Sequence, residues 1–151
     1  MTLTQAEQRF LSVQRQGRLA TIAPDGTPQV KPVGFSYNEE LGTIDIAGTN
    51  MARSAKYRNV QSNPNVAFVA DDVPAPERGA DGVRFLEIRG TAETVTAPPG
   101  DGQPSTDGHL APEIIRIHPR RVLAYNIDPG RPGLQGRDVG ADAVHGARRP
   151  D

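Results

Sequence analysis

The chain predicts a small, mainly β domain, an antiparallel barrel or sandwich, and three observations predict it. Six or so short runs rich in β-branched and apolar residues recur between turns built from Gly, Pro, Asp and Asn. Helical periodicity is confined to a short opening segment and to one mid-chain stretch that must stop at Asn63-Pro64, because proline cannot continue a helix and restricts the residue before it. The 151 residues suffice for one hydrophobic core, and no internal repeat divides them.

Thr4 followed by Glu7 is a capping-box pattern, and Ala6, Phe10 and Val13 share one helical face, so a short helix opens the chain and Gly17 closes it. Residues 18–22 read as a strand that meets the turn Pro24-Asp25-Gly26 and returns over residues 27–37, a β-hairpin. Pro28 and Pro32 cannot donate to a ladder, which makes this return strand bent, bulged or an edge that a ligand can approach. A second turn over residues 38–42 leads into the strand of residues 43–48. The helix follows from about Ala52, and then Val66-Ala67-Phe68-Val69-Ala70 reads as a buried strand. Asp71-Asp72 at its end reads as a water-facing pair. Residues 71–82 form a loop, 83–95 a strand, and 97–111 a Pro/Gly/Ser-rich loop. Two last apolar runs, 114–117 and 121–125, flank His118-Pro119. The expected domain covers residues 1–128; residues 129–151, poor in large apolar side chains, read as a flexible tail dispensable for folding.

Composition excludes several functions. A net charge of -1 and a pI near 6.3 oppose a nucleic-acid binder, whose basic face normally shows in the totals. With no cysteine there is no disulfide, thiolate metal site or cysteine nucleophile. His109, His118 and His145 have no acidic residue at ligand spacing, so no metal site is expected. No apolar run reaches the roughly 18–20 residues of a membrane span. The chain reads as a soluble cytoplasmic protein without a membrane partner.

The most informative stretch is the turn between the strand ending near Gly48 and the mid-chain helix. It carries Thr49 and Asn50, then Arg53, Ser54, Lys56 and Arg58. Amides at a helix N-terminus point outward unpaired and favour negative charge, so a hydroxyl and cations on the first turn complete an anion site suited to a phosphate. Lysine usage sharpens this, because only two of the 17 basic residues are lysines, Lys31 on the return strand and Lys56 in the turn. Other readings stay open at this stage: Lys31 as a solvated edge lysine, Ser54 as a local cap, and Arg58 on an exposed helix face. Met51 and Tyr57 read as packing.

Residues 17–22, 25–33, Thr49-Asn50, the run 53–59 ahead of Asn63-Pro64, and Glu87-Ile88-Arg89-Gly90-Thr91-Ala92 together resemble the pyridoxamine 5'-phosphate oxidase-like split-barrel flavoproteins, over roughly residues 5–127. The Lys-x-Arg-Asn helix start is most similar to the actinobacterial flavin/deazaflavin oxidoreductases, many of which bind coenzyme F420. The resemblance implies a homodimer of six-stranded split β-barrels with short helices and a cofactor groove between subunits. It implies that Lys31 with Pro32 and Val33, and Thr49, Asn50, Arg53, Ser54, Lys56 and Arg58, hold the phosphate and ribityl chain of coenzyme F420, or alternatively of FMN. Ala55 departs from the Ser-Arg-Lys triplet of the oxidase branch, and the tail has no counterpart to the oxidase's substrate-phosphate motif, which argues against pyridoxamine phosphate oxidation itself. The implied function is an F420-dependent oxidoreductase acting on a small unsaturated or quinone-like molecule; the alternatives are an FMN-binding oxidoreductase and a non-catalytic flavin-binding protein. No acid–base pair stands out, and the catalytic residues stay unassigned, since the cofactor carries the hydride chemistry. Across the groove mouth, Arg131 and Arg137 of the tail are placed to meet an acidic cofactor tail.

Overall fold

A computed structural model describes residues 2–96 and 111–140. Helix α1 (Gln5–Ser12) opens on the expected capping box: the Thr4 hydroxyl accepts from the Glu7 amide at 3.2 Å, and the Glu7 carboxylate accepts from the Thr4 amide at 3.0 Å. The strands are β1 (Gly17–Ile22), β2 (Pro28–Val33), β3 (Ser36–Asn38), β4 (Thr43–Ile46), β5 (Asn65–Asp72), β6 (Arg84–Thr96), β7 (Glu113–Tyr125) and β8 (Leu134–Asp138), with α2 (Ala55–Ser62) between β4 and β5. All pairings are antiparallel, in the path β2-β1-β5-β6-β7-β4-β3, and β8 adds to β7. The described residues thus hold eight strands, where about six were expected.

Connectivity turns this sheet into a barrel. β2 and β3 lie at opposite ends of the path, yet only Gly34 and Phe35 join them, and three Cα steps span at most about 11 Å. The sheet must curl until its two ends are close. No ladder pairs them, so the barrel is split, and Phe35 packs edge-on against core Phe68 with ring centroids 4.9 Å apart. The expected single strand over residues 27–37 is therefore two strands at the two sheet ends. Leu19, Ile44, Ile46, Met51, Phe68, Leu86, Ile88, Ile115, Ile117 and Val122 fill the interior.

Two further expectations differ. His118-Pro119 does not separate two strands; β7 runs through it, because a register shift opposite Arg89/Gly90 absorbs the missing amide of Pro119. A Cβ at Gly90 would stand 2.1 Å from the His118 carbonyl oxygen, which explains glycine there. The expected flexible tail is corrected for residues 134–139. β8 continues the sheet, the Val139 amide donates to the Arg120 carbonyl at 2.7 Å, and Arg137 reaches back to the Glu7 carboxylate at 2.7 Å and the Thr2 carbonyl at 2.9 Å. Residues 141–151 and most of the 97–111 loop lie outside the described residues, as do His109 and His145. Asp71 faces water as read, in an exposed pair with Arg18, whereas Asp72 differs: it accepts two bonds from Arg84 and one from Gln14, fastening the end of α1 to the barrel. Among the described residues no helix is long and apolar enough to cross a membrane.

Candidate functional site

The turn after β4 is shaped by one buried anchor. Met51 is 1% exposed and fixes a single 3-10 turn (Met51–Arg53), closed by the Arg53 amide donating to the Asn50 carbonyl and the Ser54 amide to the Met51 carbonyl. With that anchor inside, Thr49, Asn50 and Arg53 are left on the surface. Ser54 then begins α2 as its N-cap: its hydroxyl donates to the Met51 carbonyl at 2.6 Å and accepts from the Tyr57 amide at 3.3 Å. The helix accordingly starts at Ala55 rather than near Ala52. Ser54 is a cap, and the first-turn amides of Ala55 and Lys56 have no acceptor within the helix.

The other half comes from the hairpin. In β2, Lys31 pairs in register with Leu19 and Val30 with Ala20. Strand alternation puts Gln29, Lys31 and Val33 on the face of buried Leu19, and Val30 and Pro32 on the opposite face. Gln29 meets α2 directly, its side-chain oxygen accepting from the Asn59 amide at 2.9 Å. Lys31, two residues along the same face, lies close enough to Lys56 that its charge lowers the Lys56 pKa, second to the effect of partial burial. The Lys56 ammonium therefore holds its proton less firmly than an ordinary lysine, whose pKa is near 10.5.

Two like charges brought together need a reason. Among the described residues, none of Lys31, Arg53, Lys56 or Arg58 forms an ion pair with an acidic side chain. A phosphate fits this donor set of two ammonium groups, a nearby guanidinium and two outward helix amides. The other expected residues divide. Arg58 donates to the Arg53 carbonyl at 2.6 Å, which braces the turn. The Val33 side chain is buried in the core, so only its backbone faces outward, and Pro32 lies on the far side of the hairpin. Arg137 is held by Glu7 and is not free to reach a cofactor.

The far side of the hairpin holds an open groove of about 560 Å³, floored by Ala20, Val30, Ala67, Val69 and Phe85 and rimmed by Arg18, Asp71 and Glu87. The Phe85 ring stacks on Tyr125 at 5.3 Å, 8° from parallel. Among the described residues, no acidic side chain pairs with the lysines. Asn59, buried in α2 and bonded to Thr21 and Gln29, escaped the sequence reading as an individual residue, since nothing local tells a buried helical asparagine from an exposed one.

The profile of the pyridoxamine 5'-phosphate oxidase family matches residues 3–129. The chain belongs to this family. A 5a,11a-dehydrotetracycline/5a,11a-dehydrooxytetracycline reductase of Streptomyces rimosus is 43% identical over 150 residues, covering 99% of this chain and all of the relative. Among solved structures, a conserved hypothetical protein of Mycobacterium tuberculosis is 25% identical with a TM-score of 0.64, covering 95% of this chain and 96% of its own. An F420 reductase is 31% identical with a TM-score of 0.56, covering 76% of this chain and 94% of its own. The split barrel is thus the family fold, and the chain is an oxidoreductase of the pyridoxamine 5'-phosphate oxidase-like class.

Proposed function

We propose that this protein is a coenzyme F420-dependent reductase of a polycyclic, carbonyl-conjugated alkene of the dehydrotetracycline type. The observation that carries the reading is the relationship to a dehydrotetracycline reductase, 43% identical over 99% of this chain and all of the relative. The anion site supports it: Lys31, Lys56 and Arg53, with the amides of Ala55 and Lys56, hold the cofactor phosphate, while Thr49, Asn50 and the Pro32-Val33 backbone hold the ribityl chain. When bound, the reduced deazaflavin supplies a hydride to the electron-poor carbon of the C=C bond, solvent supplies a proton to its neighbour, and the alkene is saturated as the deazaflavin is oxidised. The protein's work is placement and the exclusion of water, with residues 71–82 contributing one wall of the substrate pocket.

The second half of the groove comes from a second copy of the chain. The apolar floor at Ala20, Val30, Ala67, Val69 and Phe85 supports a homodimer, since an exposed apolar sheet face marks an interaction surface. Reduced cofactor is available in the cytoplasm, and the reaction belongs there. An FMN-binding oxidoreductase is the second reading, favoured by the fact that a phosphate is common to both cofactors.

An oxygen-free assay decides between them. Protein mixed with reduced F420 and 5a,11a-dehydrotetracycline regenerates the absorption of oxidised F420, and omission of either protein or substrate abolishes it. Turnover with reduced FMN alone would move the assignment to the second reading. Tight F420 binding without any turnover would leave a non-catalytic carrier.

A further inference from the structure

We propose that Asn59 is a positioning residue of the anion site: its buried side-chain amide fixes the register of α2 against the β1–β2 hairpin, and that register sets Lys56 opposite Lys31. The inference rests on the reading of Lys31 and Lys56 as phosphate ligands. Asn59 is 4% exposed, and its amide nitrogen donates to the Thr21 hydroxyl at 3.0 Å and to the Gln29 side-chain oxygen at 2.9 Å. Thr21 and Gln29 are cross-strand partners, so one amide grips both strands of the hairpin at a single point.

The spacing does the rest. Asn59 and Lys56 lie three residues apart on one helical face, about 4.5 Å along the axis. Gln29 and Lys31 lie two residues apart on one strand face, about 6.7 Å. Fixing Asn59 on Gln29 therefore fixes where Lys56 meets Lys31, within the reach of lysine side chains. A leucine at position 59 would hold the helix against the sheet by contact area alone, which is non-directional, whereas two hydrogen bonds specify one register. The clamp also opposes a force. The ammonium groups of Lys31 and Lys56 repel and oppose the packing of α2 on an edge strand that, among the described residues, has no neighbour on its other side.

The test compares coenzyme F420 with the ribityl deazaflavin that lacks its phosphodiester, titrated by fluorescence against Asn59→Leu, Gln29→Ala and Lys56→Ala. The native protein prefers the phosphate-bearing ligand. Asn59→Leu lowers that preference about tenfold, and Gln29→Ala, at an exposed position that the fold tolerates, about threefold, with affinity for the phosphate-free ligand unchanged. Equal weakening of both ligands would reduce Asn59 to a general structural role and overturn the inference. A preference lowered by Lys56→Ala but not by the other two would overturn it and leave the anion site standing; a preference unchanged in Lys56→Ala would overturn both. If Asn59→Leu fails to fold, Gln29→Ala and the isosteric Thr21→Val decide the matter by the same ratio.

Discussion

Lys56 concentrates the chemistry of the site in one titrating group. Its pKa is lowered by partial burial and then by Lys31, so as pH rises toward 10.5 the folded chain releases this proton before the unfolded chain does. The unfolded state then binds more protons, and stability rises with pH in the window just below 10.5. Lys31→Ala removes one of the two causes and flattens that rise, which denaturant midpoints across the window measure. A bound phosphate acts in the opposite sense, stabilising both charged amines, so anion affinity falls as pH climbs through the same window. At this scale the sequence was informative where residue type was rare: a chain with only two lysines showed both of them. It was silent about Asn59, whose meaning depends on Thr21 and Gln29 across the sheet.

The elements were readable where apolar residues run together. Val66-Ala67-Phe68-Val69-Ala70 is an unbroken apolar run of strand length with two β-branched residues, which marks β5 without any tertiary information. β8 has no such mark. Its residues Leu134-Gln135-Gly136-Arg137-Asp138 include one large apolar side chain, and Leu134 is 57% exposed; the strand is held by its ladder to β7 and by Arg137. Glu7 is the third residue of α1 and buried, so Arg137 neutralises a carboxylate already engaged in the capping box. Arg137→Ala leaves that carboxylate unpaired, and because the arginine is itself partly exposed the expected loss is about 2 kcal/mol, a melting temperature lower by roughly 4–8 °C. Truncation after Asp128 removes the same contact together with the β7–β8 ladder and destabilises the fold further. The break at His118-Pro119 misled for a related reason: a proline at a bulge is tolerated within a long strand, and only the partner Gly90, with room for no side chain, shows where the bulge falls.

At the scale of the whole molecule, a split barrel is the consequence of a two-residue link between strands at opposite ends of one sheet, and β2 is left as an open edge beside the lysines. The hairpin thus has two working faces, cationic toward α2 and apolar toward the 560 Å³ groove. Val30 is 61% exposed on the apolar face. Val30→Glu is accordingly expected to leave the isolated fold intact while preventing the dimer proposed above, since a buried unpaired charge at an interface costs several kcal/mol; light scattering of the variant against the native protein reads the change in mass. The central claim, that Lys31 and Lys56 converge to hold a cofactor phosphate, is tested most directly by the F420 affinity of the double variant Lys31→Ala/Lys56→Ala. Loss of two charge-assisted contacts predicts affinity lower by about a hundredfold or more, with a melting temperature in the absence of ligand unchanged or slightly raised as the repulsion is relieved. A folded double variant that binds F420 as tightly as the native protein would contradict it.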